Sequence, residues 1–154
     1  MTLKDIKPIK HQTQPIPTGC VMTCLAMLLG RPVLELCERY HVHYYIKQNF
    51  EIFDMLEEEG IEYRRVLSGC IARMDPYGLY WLAVPSLNLP GQMHAVLVDY
   101  RDPTRPQCYD PAKGLPNTRY YVLHSADVDE DESGLAFQLL TWVVDFVIIG
   151  VHEQ

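Results

Sequence analysis

The sequence is poor in positive charge. Its 154 residues carry 13 Lys and Arg against 20 Asp and Glu, a formal net charge of −7. Affinity for nucleic acids rests on Lys and Arg side chains that neutralise phosphates, so we expect no nucleic acid among the partners. Two short acidic runs, residues 57–59 and residues 127–132, are expected to be solvated surface.

Long hydrophobic runs are also missing. Residues 1–12 contain no apolar core of signal-peptide length. The most apolar segment, residues 139–151, is too short to span a bilayer and contains Asp145. We therefore expect a cytoplasmic protein with no membrane partner.

Cysteine is uncommon: the chain has five, so even complete disulfide pairing would leave one cysteine free. Without a secretion signal, reduced thiols are the expectation. Near Cys37 the stretch "CERYHVH" adds His41 and His43, and His11 lies near the N-terminus. No paired CxxC or HExxH accompanies them, so we predict neither a metal site nor a cofactor.

The length suits a single domain covering residues 1–154. Apolar runs predict helices over residues 22–30, from Pro32 through "PVLELCERYHV", and over residues 49–60 with Asn49 as the cap and Gly60 as the stop. After Gly60 short β-type runs follow: "IEYRRVL", "GLYWLAVP", "HAVLVDY", "QCYDPA", "RYYVL" and "TWVVDFVIIGV". Helices followed by strands predict an α+β fold in which N-terminal helices pack on an antiparallel sheet.

Cys20 stands where the first helix begins, in "QPIPTGCVMTCLAMLLG". The free N–H groups and partial positive charge of a helix start favour the thiolate, which is the nucleophilic form of cysteine. Cys24 lies one turn further into the apolar run and is expected to be a core residue. The same structural role is expected for Cys37 and Cys70.

A cysteine nucleophile needs a base, and His94 opens the strong strand "HAVLVDY". Asp110 comes sixteen residues later, after the polar turn "RDPTRPQ". If this turn joins two antiparallel strands, the Asp110 carboxylate can orient the His94 imidazole. Taken alone, His94 is more typical of a strand end, and Asp110 of a turn before proline, than either is of a catalytic site.

Taken in order, Gln14, Cys20 with "TCLAMLLG", His94 with "AVLVDY", and Asp110 with Pro111 form a pattern that resembles the papain-like cysteine peptidase superfamily. The closest type is the bacteriocin-processing peptidase, which trims double-glycine leader peptides. The resemblance implies a papain-like fold, a peptide or protein substrate, Cys20 as nucleophile, His94 as general base and acid, Asp110 as its orienting acid and Gln14 as an oxyanion donor. The pattern departs from the family at Val21, where a glycine usually follows the nucleophile.

Two alternatives remain open at this point. The aromatic stretches "YHVHYY" and "RYY" are compatible with a catalytically inactive papain-like domain that binds a peptide or protein. Among enzymes, the same thiol chemistry serves hydrolysis of a peptide, isopeptide or side-chain amide bond and also acyl transfer. The sequence does not determine the oligomeric state.

Overall fold

The computed structural model describes residues 2–66, 73–124 and 134–153. These residues form an α+β arrangement of helices followed by a mainly antiparallel sheet. The helices are α1 (Cys20–Leu29), α2 (Val33–His41), a π-helical turn (Val42–Ile46) and α3 (Ile52–Glu58). The strands are β1 (Leu3–Lys4), β2 (Ile61–Arg65), β3 (Leu79–Pro85), β4 (Met93–Asp99), β5 (Gln107–Tyr109), β6 (Tyr120–Val122), β7 (Ala136–Gln138) and β8 (Val143–His152).

The three predicted helices are present, but the third has a different cap. α3 begins after Glu51, whose side chain accepts a hydrogen bond from the Asp54 backbone, while the Asp54 carboxylate accepts one from the Glu51 N–H. This reciprocal pair satisfies two N–H groups at the helix start. Asn49 lies upstream of it, so its predicted capping role is wrong.

The main sheet is antiparallel and runs in the order β8, β3, β4 and β5, with β1 and β2 also pairing with β8. The predicted hairpin is confirmed: β4 and β5 pair in the register Leu97 to Tyr109 and Asp99 to Gln107. β6 and β7 form a separate parallel pair, which the sequence did not predict.

Each face of the sheet is covered by its own hydrophobic cluster. On one face Trp81, Leu97 and Phe146 pack with the buried side of the helices. On the other face Leu82 and Val144 belong to a smaller cluster. The helices therefore lie on the same face as Trp81, and this face carries the candidate site described below.

The acidic run at residues 57–59 is solvated only in part. Glu57 and Glu58 are exposed, but Glu59 is buried. Its carboxylate lies 2.6 Å from the Arg31 guanidinium and accepts a hydrogen bond from the Tyr40 hydroxyl. A buried carboxylate is tolerated when it is paired in this way. Residues 127–132 and Cys70 lie outside the described residues.

In the described ranges no helix is both long enough and apolar enough to cross a membrane. The longest of the α-helices there is α1, with ten residues.

Candidate active site

Cys20 is the first residue of α1, as the sequence predicts. The preceding residue, Gly19, caps the helix without a side-chain hydrogen bond, so no side chain competes for the free N–H groups there. Thr23 fixes this end of the helix, because its hydroxyl donates to the Gly19 carbonyl at 2.7 Å. Cys20 is partly exposed, whereas Cys24 is completely buried, which confirms Cys24 as a core residue.

His94 and Asp110 meet as the hairpin prediction requires. The Nε2 atom of His94 lies 2.5 Å from Oδ1 of Asp110. The His94 side chain is 12% exposed and that of Asp110 only 1%. An ionised carboxylate can only accept hydrogen bonds, so this contact places the imidazole proton on Nε2 and leaves Nδ1 for another partner.

The Asp110 carboxylate is held by the backbone on both of its oxygens. Oδ1 also accepts the Ala112 N–H at 2.9 Å, and Oδ2 accepts the Tyr121 N–H at 2.8 Å. Both N–H groups fix the plane of the carboxylate. The orientation of His94 therefore depends on two backbone segments, the turn after Asp110 and strand β6.

Residues 11–14 form a strap, our name for this segment, across the loop that follows Asp110. His11 Nε2 lies 2.7 Å from the Asp110 carbonyl oxygen. The Thr13 hydroxyl donates to the Lys113 carbonyl at 2.7 Å, and the Gln14 N–H donates to the Pro111 carbonyl at 2.8 Å. The strap brings Gln14 to the site and ties its position to that of Asp110.

Gln14 is buried, and its side-chain Nε2 donates to the Pro17 carbonyl at 3.2 Å. The opposite amide orientation would point Oε1 at that carbonyl oxygen, so the contact selects the orientation with Nε2 there. Nε2 carries two protons, and Pro17 uses one. Gln14 lines the same cleft as Cys20 and His94.

The surroundings of His94 favour its protonated form. Burial alone lowers the pKa of His94, but the Asp110 carboxylate and the Cys20 thiol outweigh burial and raise it to about 10. Among the described residues Cys20 has no well-aligned hydrogen bond, yet it lies near enough to His94 to contribute to this shift. Such contacts often tighten only when substrate binds.

The other described cysteines are poorly suited to be nucleophiles. Burial raises the pKa of the Cys24 and Cys108 thiols well above the ordinary value and raises that of Cys37 as well. A raised pKa lowers the thiolate fraction at neutral pH. Cys20 is the described cysteine that is partly exposed, stands at a helix start and faces an imidazole.

Cys20, His94 and Gln14 open into one cleft of about 580 Å³ between the helices and the sheet. The sequence did not identify two residues of this cleft, Tyr44 and Asp145. Tyr44 lies on a π-helical turn that follows α2, and such turns are frequent at functional sites. The signal for Asp145 was its position as a charged residue within an otherwise apolar strand.

The histidines considered for metal binding lie in separate surroundings. His41 stacks on Tyr45 with ring centroids 5.6 Å apart, and His43 packs near Phe50 at 5.5 Å. His11 contacts the backbone of Asp110. In the described part of the chain, no three His, Cys, Asp or Glu side chains lie close enough to hold a metal ion.

Comparison with models of known protein families, with curated proteins and with solved structures finds no match for this chain.

Proposed function

We propose that this chain is a cysteine-type peptidase or related thiol hydrolase with a papain-like fold, acting on a peptide or amide bond. One observation carries the proposal. A buried carboxylate holds the imidazole of His94 at 2.5 Å, and this imidazole faces a thiol at the start of a helix inside an accessible cleft. A binding surface has no physical need for a nucleophile, a base and an orienting acid in this order.

In the proposed reaction the Cys20 thiolate attacks the substrate carbonyl carbon and forms a C–S bond. The carbonyl oxygen becomes an oxyanion that accepts hydrogen bonds from the Cys20 N–H and the Gln14 side-chain amide. The C–N bond then breaks, and the His94 imidazolium gives its proton to the leaving amine. Water attacks the thioester, His94 accepts a proton from it, and the acid product leaves as the thiolate forms again.

The direct test is an electrophilic peptide probe, such as an acetylated peptide with a C-terminal vinyl sulfone, followed by mass mapping of the modified residue. We expect a single adduct on Cys20 and none after Cys20→Ala. Cys24→Ala is the matched control on the same helix. It should lose on the order of 1 kcal/mol of stability, because a small buried group is removed, and should label normally.

Failure to label Cys20 in a folded protein would favour the alternative, an inactive domain that binds a peptide or protein. Loss of labelling in Cys24→Ala but not in Cys20→Ala would show that the register of α1 is misread. Labelling spread evenly over all cysteines would show that no thiol is activated.

Gln14→Ala tests the oxyanion role separately from the nucleophile. We expect hydrolysis of a fluorogenic peptide amide to slow by about 10²- to 10³-fold, the usual loss for one oxyanion donor. Alkylation of Cys20 by iodoacetamide should stay near the wild-type rate, because that reaction forms no oxyanion. An equal loss in both measurements would mean that Gln14 supports the thiol and not the oxyanion.

The matched control for this substitution is Gln12→Ala in the same segment. The Gln12 side chain bonds the Arg31 carbonyl and the Val33 N–H at the start of α2, and it does not line the cleft. This variant should lose some stability through the α2 cap and keep its turnover.

A further inference from the structure

Asp145 is an isolated acid at one end of the cleft. Its side chain lines the cleft together with Tyr44, Trp81 and Ala83, and no Lys or Arg is among the described residues of the lining. Asp145 is half-buried, and within the described ranges its carboxylate has no hydrogen bond or ion pair. Arg65 is close enough to lower the pKa of Asp145 but makes no ion pair with it. The Arg65 guanidinium instead lies over the ring of Phe53, 5.0 Å from its centroid.

A β-bulge aims Asp145 into the cleft. β3 and β8 pair Trp81 with Phe146 but Leu82 with Val144, so Asp145 is the extra residue of β8 at this point. Val144 packs on the face away from the helices, whereas Phe146 packs on the face toward them. Bulges occur next to active sites, where they redirect a side chain.

The part of the cleft around Asp145 and Tyr44 carries negative charge without a Lys or Arg among its described lining residues. Burial raises the pKa of Asp145, with Arg65 acting in the opposite direction. Burial also raises the pKa of Tyr44 to about 12, and the negative charges of Cys20 and Asp145 contribute to that shift. Tyr44 is thus near both residues, which places Asp145 within the same cleft as the thiol.

We infer that Asp145 binds a cationic group of the substrate, an ammonium or guanidinium, and so selects a basic residue or a free amine close to the bond that is cut. The inference rests on the proposed function of the cleft. A half-buried carboxylate that makes no direct ion pair is costly even with Arg65 nearby, and a cation bound in the cleft offsets that cost. The aromatic rings of Tyr44 and Trp81 suit the apolar stem of a Lys or Arg side chain.

The strand order and register give the distance between Asp145 and His94, the residue next to the reacting bond in the proposed reaction. β8 lies two strands from β4, the strand that carries His94, and neighbouring strands are spaced by about 4.8 Å. Asp145 is therefore about 10 Å from His94 across the sheet, and it is also offset by roughly 8 Å along the strands, because His94 pairs with Val84 whereas Asp145 lies beside Trp81 and Leu82. An extended peptide advances about 3.3–3.6 Å per residue, so a cation about 13 Å away belongs within about four residues of the scissile bond. The net charge of −7 also favours the approach of a cationic substrate.

The test is affinity selection on immobilised Cys20→Ala protein, which binds without cleaving. The probe is a synthetic mixture of randomised decapeptides, acetylated and amidated, with a second arm that keeps the free N-terminal amine. We expect Lys and Arg to be enriched by about tenfold or more at one position, the typical effect of a hydrogen bond to a charged group. Enrichment confined to the free-amine arm would identify the terminal amine as the cation.

The enrichment should disappear in Cys20→Ala/Asp145→Asn, which keeps the shape and removes the charge. Cys20→Ala/Glu38→Gln is the matched control, because it changes the net charge equally at an exposed position of α2. Cys20→Ala/Asp145→Ala is a second variant should the amide disturb the bulge, and thermal melts establish that each protein is folded.

The outcomes separate this inference from the proposed function. Enrichment of neither basic residues nor free-amine peptides, or enrichment that survives removal of Asp145, overturns the inference whether or not the wild type cleaves peptides. Enrichment that depends on Asp145, together with a wild type that cleaves none of the retained peptides, supports the cation site and overturns the peptidase.

Discussion

Replacing His94 with Ala is expected to lower the turnover of a peptide substrate by roughly a millionfold, comparable to losing the nucleophile itself in other hydrolases that use such a unit. In the proposed reaction one imidazole serves three steps: it pairs with the thiolate, protonates the leaving amine and accepts the proton of water. The measurement is the rate of hydrolysis of a fluorogenic peptide amide. His124→Ala is the control, because His124 is exposed and lies outside the cleft.

The same variant should remove the reactivity of the thiol at acidic pH. Wild-type Cys20 should alkylate faster with iodoacetamide at pH 6 than Cys20 in the His94→Ala variant, because a protonated imidazole beside a thiol stabilises negative charge on the sulfur. Cys37 should barely react, since burial raises its pKa. If wild type and His94→Ala gave matching alkylation profiles, with the midpoint of a free cysteine, the binding-module alternative would replace the enzyme.

The raised pKa of His94 also predicts that its contribution to stability decreases as the pH rises. Folding raises this pKa from the ordinary 6.5 to about 10, so the protonated ring stabilises the folded protein. The stabilisation is complete below about pH 6.5 and is lost as the pH rises through about 10. The difference in the free energy of unfolding between wild type and His94→Ala should therefore shrink over that interval.

Replacing Asp110 with Asn is expected to reduce turnover by about 10⁴-fold, because the orienting carboxylate of a catalytic triad fixes the tautomer of its histidine. Here the substitution has a second effect. Both carboxylate oxygens accept backbone N–H groups, from Ala112 and from Tyr121. Whichever way the amide turns, its NH₂ faces one of these N–H groups and leaves it unpaired, at a cost of about 1–3 kcal/mol.

The experiment measures turnover together with urea unfolding, so that lost stability is not mistaken for lost chemistry. Asp102→Asn is the control in an exposed turn, where the side chain is bonded only to Thr104. Asp110→Asn should still fold at low temperature, because one unpaired donor is a fraction of the stability of a domain. Full turnover in a folded Asp110→Asn protein would exclude Asp110 as the orienting acid.

The sequence predicts the helix start at Cys20 and the meeting of His94 with Asp110 because these signals are local, whereas the grouping of all three in one site came from the family resemblance. Gly19 and Gly30 bound an apolar helix, and a polar turn joins two strands of alternating pattern. In the structure Cys20 begins α1, and β4 pairs with β5. The papain-like fold and the catalytic roles of these residues stay predictions, because a helix start and a hairpin of this kind occur in many folds.

The residues that the sequence missed depend on tertiary detail. Period-two alternation puts Asp145 on the face opposite both Val144 and Phe146, and the bulge in β8 breaks that rule. Glu59 belongs to an acidic run that is typical of solvent, yet Arg31 and Tyr40 reach it from α2 and its flank. Neither a bulge nor a partner 28 residues away has a local signal.

The strap formed by residues 11–14 can reach the Asp110 loop only after most of the chain has been synthesised. Its bonds from His11 and Thr13 span 99 and 100 residues, among the longest separations in the chain. Contacts of such high sequence separation close slowly, because the entropy of the long loop must be overcome first. If Cys20 and His94 have the proposed roles, a chain still emerging from the ribosome carries the thiol long before the His94 imidazole is held beside it, and nucleophilic reactivity arrives only with the finished fold.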